Sequence, residues 1–201
     1  METNQLPRRS ERHKRKETSS QLHTAFVLGT CWILFTLTPE SWKSPAAYII
    51  IHYGAIGNTG ETEEKKLSLS QKGEKVMNEL AEEKADQGYD YLDEDELFEL
   101  VIQYSYEEDQ MKETLKKRHQ VEDLMNECLG WTGNGSCDGG DIGSGTANIL
   151  NYVIDVEKAT KTIIEELKEN NLLEGVKIAY LNPEDEEYIA LYPEGDSLDL
   201  M

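Results

Sequence analysis

The chain has 201 residues, 38% of them hydrophobic and 30% charged, with a formal net charge of −20. That length holds one large domain or two small ones, and the apolar share is enough for a packed core. The charge works against nonspecific nucleic-acid binding, which rests on phosphate contacts, and suits solubility and basic partners.

The charge is uneven. Residues 1–43 hold seven Lys or Arg against four Glu, a net +3, which leaves −23 for the remainder. The basic residues concentrate in PRRSERHKRK, Pro7–Lys16. Such a segment reads as a disordered tail. Residues 1–29 are therefore expected to form a basic disordered tail or a targeting segment.

Next comes AFVLGTCWILFTL, Ala25–Leu37. A basic segment followed by an apolar run resembles a signal anchor. The run is about 13 residues, however, and a membrane-spanning helix needs about 20. The other reading is a strand over CWILFTLT, Cys31–Thr38, rich in aromatic and β-branched residues. PESWKSPA then supplies a break, and AYIIIHYG returns as a second strand. We take the hairpin first. A membrane partner enters only if residues 25–37 form an anchor.

Gly54, Gly57 and Gly60 follow that second strand. A phosphate loop needs GxxxxGK followed by Ser or Thr, and the dinucleotide signature needs GxGxxG. The stretch Tyr53–Gly60 has neither, and Glu61 after it repels anions. Ser68–Tyr89 reads as a helix with Ser70 as N-cap and Gly88 as the stop. Val76, Leu80 and Lys84 share a stripe, with Met77 and Ala81 beside it. Asp90–Glu96 is an acidic linker and the expected domain boundary.

From Leu97 the elements alternate. LFELVIQYSY is a strand, and about Glu108–Leu129 is a long helix whose face is Met111, Leu115, Val121, Leu124, Met125 and Cys128. Gly130–Gly145 is a glycine-rich connection in which a short strand could hide. Thr146–Asp155 is a strand. Val156–Asn171 is an amphipathic helix with Val156, Ala159, Ile163, Ile164 and Leu167 inward. Val176–Asn182 and Glu187–Pro193 are strands around the turn PEDE. This order suits two helices on one face of a mainly antiparallel sheet, and a ferredoxin-like βαββαβ arrangement plus one strand. Residues 195–201 form an acidic tail.

Chemical motifs are sparse. Cys31, Cys128 and Cys137 lack the spacing of a disulfide framework or a zinc site. They read as free thiols of a reducing compartment, so the expected location is cytoplasmic. Cys137, Asp138 and Asp141 could meet around a hard cation, but two carboxylates are few and the EF-hand spacing is missing. A tight connection, with glycine at positive φ and aspartate capping a turn, is the preferred reading. Cys128 or Cys137 with His52 or His119 forms no evident nucleophile–base pair. Lys116–His119 is the one basic cluster of the acidic body and reads as a solvated helix face. No catalytic residue, cofactor or metal is expected.

One resemblance adds to these readings. Ala47–Tyr89 resembles a WGR domain, in which a strand ends in Trp-Gly-Arg and is followed by Ile-Gly, two spacers and Gly. Here YGAIGNTG, Tyr53–Gly60, occupies the motif. Glu64–Tyr89 supplies the charged strand, the helix, Glu83-Lys84 and Gly88-Tyr89. In poly(ADP-ribose) polymerases, similar domains contact DNA ends and the catalytic domain through the motif Trp and Arg. Carried onto this chain, the Trp becomes Tyr53, the Gly is kept as Gly54, and the Arg becomes Ala55. Tyr53 retains a stacking surface, whereas Ala55 cannot bond phosphate.

The region Leu97 to about Tyr180 is similar to a companion region that follows WGR domains in some bacterial proteins. Asn126–Ile149 carries that likeness, and some relatives are labelled molybdenum-metabolism regulators. The resemblance implies an α+β protein. A small WGR-like antiparallel β module with one helix, residues 30–92, precedes a ferredoxin-like α/β sandwich domain, residues 97–194. The expected function is that of a non-catalytic, regulatory interaction protein with a protein partner. DNA-end binding is the second reading, set back by the net charge and by Ala55. A metal-dependent module built on residues 133–145 is the third. The expected contact residues are Tyr53, Gly54, Gly57 and Gly60 on one surface and Trp131, Asp138 and Asp141 on another.

Overall fold

A computed structural model describes residues 22–28, 31–38, 48–68, 72–195 and 198. The expected basic tail at Pro7–Lys16, the break at residues 39–46 and the Ser70 cap lie outside them. The protein is mixed α+β and forms two compact units. One holds the described residues up to Tyr53 and from Glu61 to Leu92. The other holds the turn Gly54–Gly60 and the described residues from Asp93 onward.

The first unit has strands β1 (Leu22–Leu28), β2 (Cys31–Thr38), β3 (Tyr48–Ala55), β4 (Glu61–Lys66) and β5 (Asp90–Tyr91). Their order in the sheet is β4-β3-β2-β1-β5. The described residues of Ala25–Leu37 thus lie in two antiparallel strands, with Val27 opposite Trp32. Among the described residues no helix is long and apolar enough to cross a membrane. The expected hairpin partners, β2 and β3, lie side by side. β1 goes beyond the expectation, which took residues 1–29 as tail. Two residues of the expected linker, Asp90 and Tyr91, pair with Val27 and Phe26.

Helix α1 (Gly73–Asp86) covers this sheet. Val76, Met77 and Ala81 recur at helical spacing and are buried with Ile33, Phe35 and Ile49. Lys72 is the N-cap residue and makes no side-chain cap bond. At the other end Gly88 takes a positive φ of 90° and donates its amide to Ala85 O, which ends the helix as its glycine predicts.

The second unit runs β6 (Phe98–Ser105), α2 (Met111–Trp131), β7 (Gly135–Gly143), β8 (Thr146–Val153), α3 (Val156–Glu169), β9 (Val176–Leu181) and β10 (Tyr188–Tyr192). All neighbours in its sheet are antiparallel, in the order β10-β9-β6-β8-β7. Both helices supply the core over one face. Val121, Met125 and Leu129 of α2 and Ala159, Ile163 and Leu167 of α3 are buried with Leu100, Ile102, Ile149, Val153 and Ile178. Each fully buried aliphatic side chain of this kind contributes about 1.5–3 kcal/mol.

Two expectations change here. Met111 is exposed, because it opens the helix, and Thr114 is buried one turn later. The glycine connection contains β7, a nine-residue strand with a register shift between Cys137 and Gly139.

Candidate functional site

In the first unit, chemistry collects at the end of β3. The alternation of a strand sends Ile49 into the core under α1 and turns His52 to the opposite face. There the His52 ring packs against Trp32 at a 47° tilt with centroids 4.7 Å apart, and its Nδ1 lies 2.6 Å from Thr62 Oγ1. Trp32 Nε1 is buried with no hydrogen-bond partner among the described residues. Next in the strand, Tyr53 points out and is 36% exposed. Its hydroxyl donates to Glu61 Oε2 across the β3–β4 pair at 3.3 Å. The negative charge of Glu61, with smaller effects of desolvation and Glu63, holds the phenol above its ordinary pKa.

In the second unit, the turn Gly54–Gly60 is seated on the end of α2. The last carbonyls of a helix have no partner within it. Here the Gly57 amide donates to Thr132 O at 2.9 Å, and the Gly60 amide reaches Trp131 O at 3.3 Å. Gly57 has φ of 84° and lies against the stem of Lys158. A Cβ there would come within 2.7 Å of Lys158 Cδ. The structure therefore brings together two expected contact regions, the glycine turn and Trp131. It does so through backbone amides that are consumed in capping the helix. The Trp131 ring remains 46% exposed. Gly54 is half-buried at the start of the turn.

Asn134, three residues beyond Trp131, is fully buried. Its side chain accepts from the Asp155 amide at 2.8 Å and donates to Asp155 O at 3.0 Å, while its own backbone bonds Leu129 and Ile154. Asp155 in turn caps α3 by accepting from the Lys158 amide, and it pairs with Lys158 Nζ at 3.0 Å. Burial pushes the Asp155 carboxyl up, but the Lys158 amide, ammonium and charge outweigh it and the net shift is downward.

The two remaining expected residues are separated in role. Asp138 is half-buried in the irregular step of β7. Asp141 lies in a row across three strands on the sheet face opposite the helices. Gln103 Nε2 donates to Asn148 Oδ1 and Asn148 Nδ2 to Asp141 Oδ1, both at 2.9 Å. Farther along that face, Glu99 accepts from the hydroxyls of Tyr152 and Tyr188. The sequence reading missed this row. Its only signal was a polar residue, Gln103 or Asn148, set within the apolar strands LVIQYS and TANILNY.

Among the described residues, no group of three His, Cys, Asp or Glu is placed to hold a metal ion. The Cys137 sulfur lies against the backbone of Gly139. Burial, and then the charge of Glu166, pushes the Cys128 thiol up to about 12, the reverse of an activated nucleophile. His119 Nε2 lies 2.8 Å from Arg118 Nη2. Comparison with protein-family models, with curated proteins and with solved structures gives no match.

Proposed function

We propose that the chain is a non-catalytic interaction protein, a WGR-like module followed by a ferredoxin-like domain, that recognises a protein partner. The observation that carries this reading is Tyr53: an aromatic side chain, one-third exposed, held by Glu61 at the end of β3. Exposed aromatics with restrained rotamers are the usual anchors of protein interfaces. The sheet order β9-β6-β8-β7, with both helices on one face, supports the ferredoxin-like part of the reading, with β10 as the extra strand. The side-by-side β2 and β3, followed by β4 and α1, support the WGR-like part. A cytoplasmic location and a regulatory role belong to the same proposal.

The acidic setting of Tyr53 favours a protein over a DNA end. Glu61, Glu63 and Glu64 are all exposed on β4, and phosphate would meet their charge without a compensating cation at Ala55. The test uses the full chain. A blunt DNA duplex is titrated in below about 50 mM salt, where electrostatic binding is strongest. In parallel, tagged protein is purified from the organism that encodes it, with Tyr53→Ala as control. The proposal expects no DNA complex and a protein captured by the wild type alone. A DNA complex that Tyr53→Ala weakens would replace it with the DNA-end reading.

A further inference from the structure

We propose that the outer edge of β10 docks an extended segment of a partner protein, one with Lys or Arg on both sides of a short uncharged run. An unpaired strand edge is a template for another strand, and proteins blunt such edges with charge, brevity, bulges or cover. Three of the four sheet edges among the described residues are blunted. β4 is wholly exposed and carries Glu61, Glu63, Glu64, Lys65 and Lys66. β5 has two residues. β7 is broken by its register shift, and α2 reaches over it: Arg118 Nη1 donates to Gly140 O at 2.9 Å, and Asn126 Oδ1 accepts from the Cys137 amide at 3.3 Å.

Among the described residues no strand pairs with the outer side of β10. Its sequence, YIALY, carries no charge, and Ile189 is 41% exposed. The Asn182 amide donates to Glu187 O, so the antiparallel alternation places the next bonded pair at Tyr180–Ile189 and turns the Ala190 amide outward. The register shifts only after Ala190. Beyond it Tyr192 and Pro193 line a cleft of about 380 Å³ with Leu173, Glu174, Val176 and Lys177. Backbone pairing along an edge with a side-chain cleft at its end is the geometry of strand addition.

The surrounding charge selects the occupant. Glu184, Asp185, Glu186 and Glu187 are exposed before the strand, and Glu194 is exposed after it. Basic flanks complement both ends. A second copy of this chain would bring those acidic flanks against each other. The proposal uses none of the residues of the Tyr53 surface, so it stands or falls independently of the reading above.

The probes are two labelled peptides, Lys-Arg-Thr-Val-Thr-Val-Lys-Arg and its counterpart with Glu-Asp flanks. Each is titrated against the full chain by fluorescence anisotropy, with amide exchange followed in parallel. The basic peptide is expected to bind, to slow exchange at Ala190, and to lose about tenfold or more in affinity to Ala190→Pro, which removes the outward N–H. Ile189→Lys, a change at an exposed position, weakens it too and covers the case in which the proline variant fails to fold. Equal binding by both variants, equal binding of the acidic peptide, or protection away from β10 would each overturn the proposal. So would a wild-type dimer that Ile189→Lys dissociates, or binding that emerges only on deletion of residues 1–21. Those two results would give the edge to a second copy or to the chain's own basic segment.

Discussion

The two units use polar residues in opposite ways. In the first, polar side chains gather at the end of β3, where Tyr53 and Glu61 face solvent and His52 bonds Thr62 on the sheet face away from α1. In the second, Gln103 and Asn134 are fully buried and bonded within the unit, and buried Asn151 donates from Nδ2 to Leu100 O while its Oδ1 has no partner among the described residues. Buried amides of this sort fix one arrangement of strands and helices, since each unmade bond would leave a desolvated group behind. A residue that looks functional in a sequence therefore carries different weight in the two places. Tyr53 has little structural work that would explain its exposure. Gly57, Gly60 and Asp141 have structural work that accounts for them.

Substitutions can break this contrast. The largest effect is expected at Asn134. Asn134→Ala removes two side-chain bonds to the Asp155 backbone and leaves both groups without them, a loss of about 3 kcal/mol in urea denaturation. A loss below about 1 kcal/mol would deny the second unit its buried wiring. Gly57→Ala comes next. It combines a left-handed φ with a collision against Lys158, and about 1–2 kcal/mol is expected in the same measurement. A neutral result would release the turn from its seat on α2.

Asp155→Ala should cost about 1 kcal/mol through the lost helix cap. This difference depends on pH. The folded carboxyl is held below its unfolded value, so its contribution is present above about pH 4 and is lost as pH falls through the folded value. Wild type and variant should converge in acid, and a gap that persists there would assign the effect to packing. The smallest effect belongs to the first unit. Glu61→Gln should bring the Tyr53 phenol back down toward its ordinary range, followed by NMR titration of the ring. An unchanged titration would remove the negative field from the Tyr53 surface.

Much of the fold is legible in the sequence because period decides it. The helical spacing of Ala159, Ile163 and Leu167 and the PEDE turn between β9 and β10 match the structure closely. β7 is harder to read. Its glycines carry no strand propensity, and it becomes a strand because its backbone pairs with β8 and its lack of side chains lets α2 approach. A Cβ on Gly140 would run into the Asn148 carbonyl and lie 2.9 Å from Glu122 Oε1. β1 hides in an apolar run that also fits an anchor, and only its pairing with β2 and β5 distinguishes the two. The row Gln103–Asn148–Asp141 depends on register across three strands, which no local motif records. The exposed end of β3 was legible through Tyr53 and its glycines. The use of those glycines as a helix cap was not, because their acceptors lie more than 70 residues along the chain.

The central claim is that Tyr53 anchors a protein partner. Its most direct test is quantitative mass spectrometry of proteins captured by the full chain from its native host, with Tyr53→Phe and Tyr53→Ala compared side by side. The account predicts one protein retained by wild type and by Tyr53→Phe and lost by Tyr53→Ala, with both variants folded as judged by circular dichroism. The same protein captured equally by folded Tyr53→Ala would contradict it.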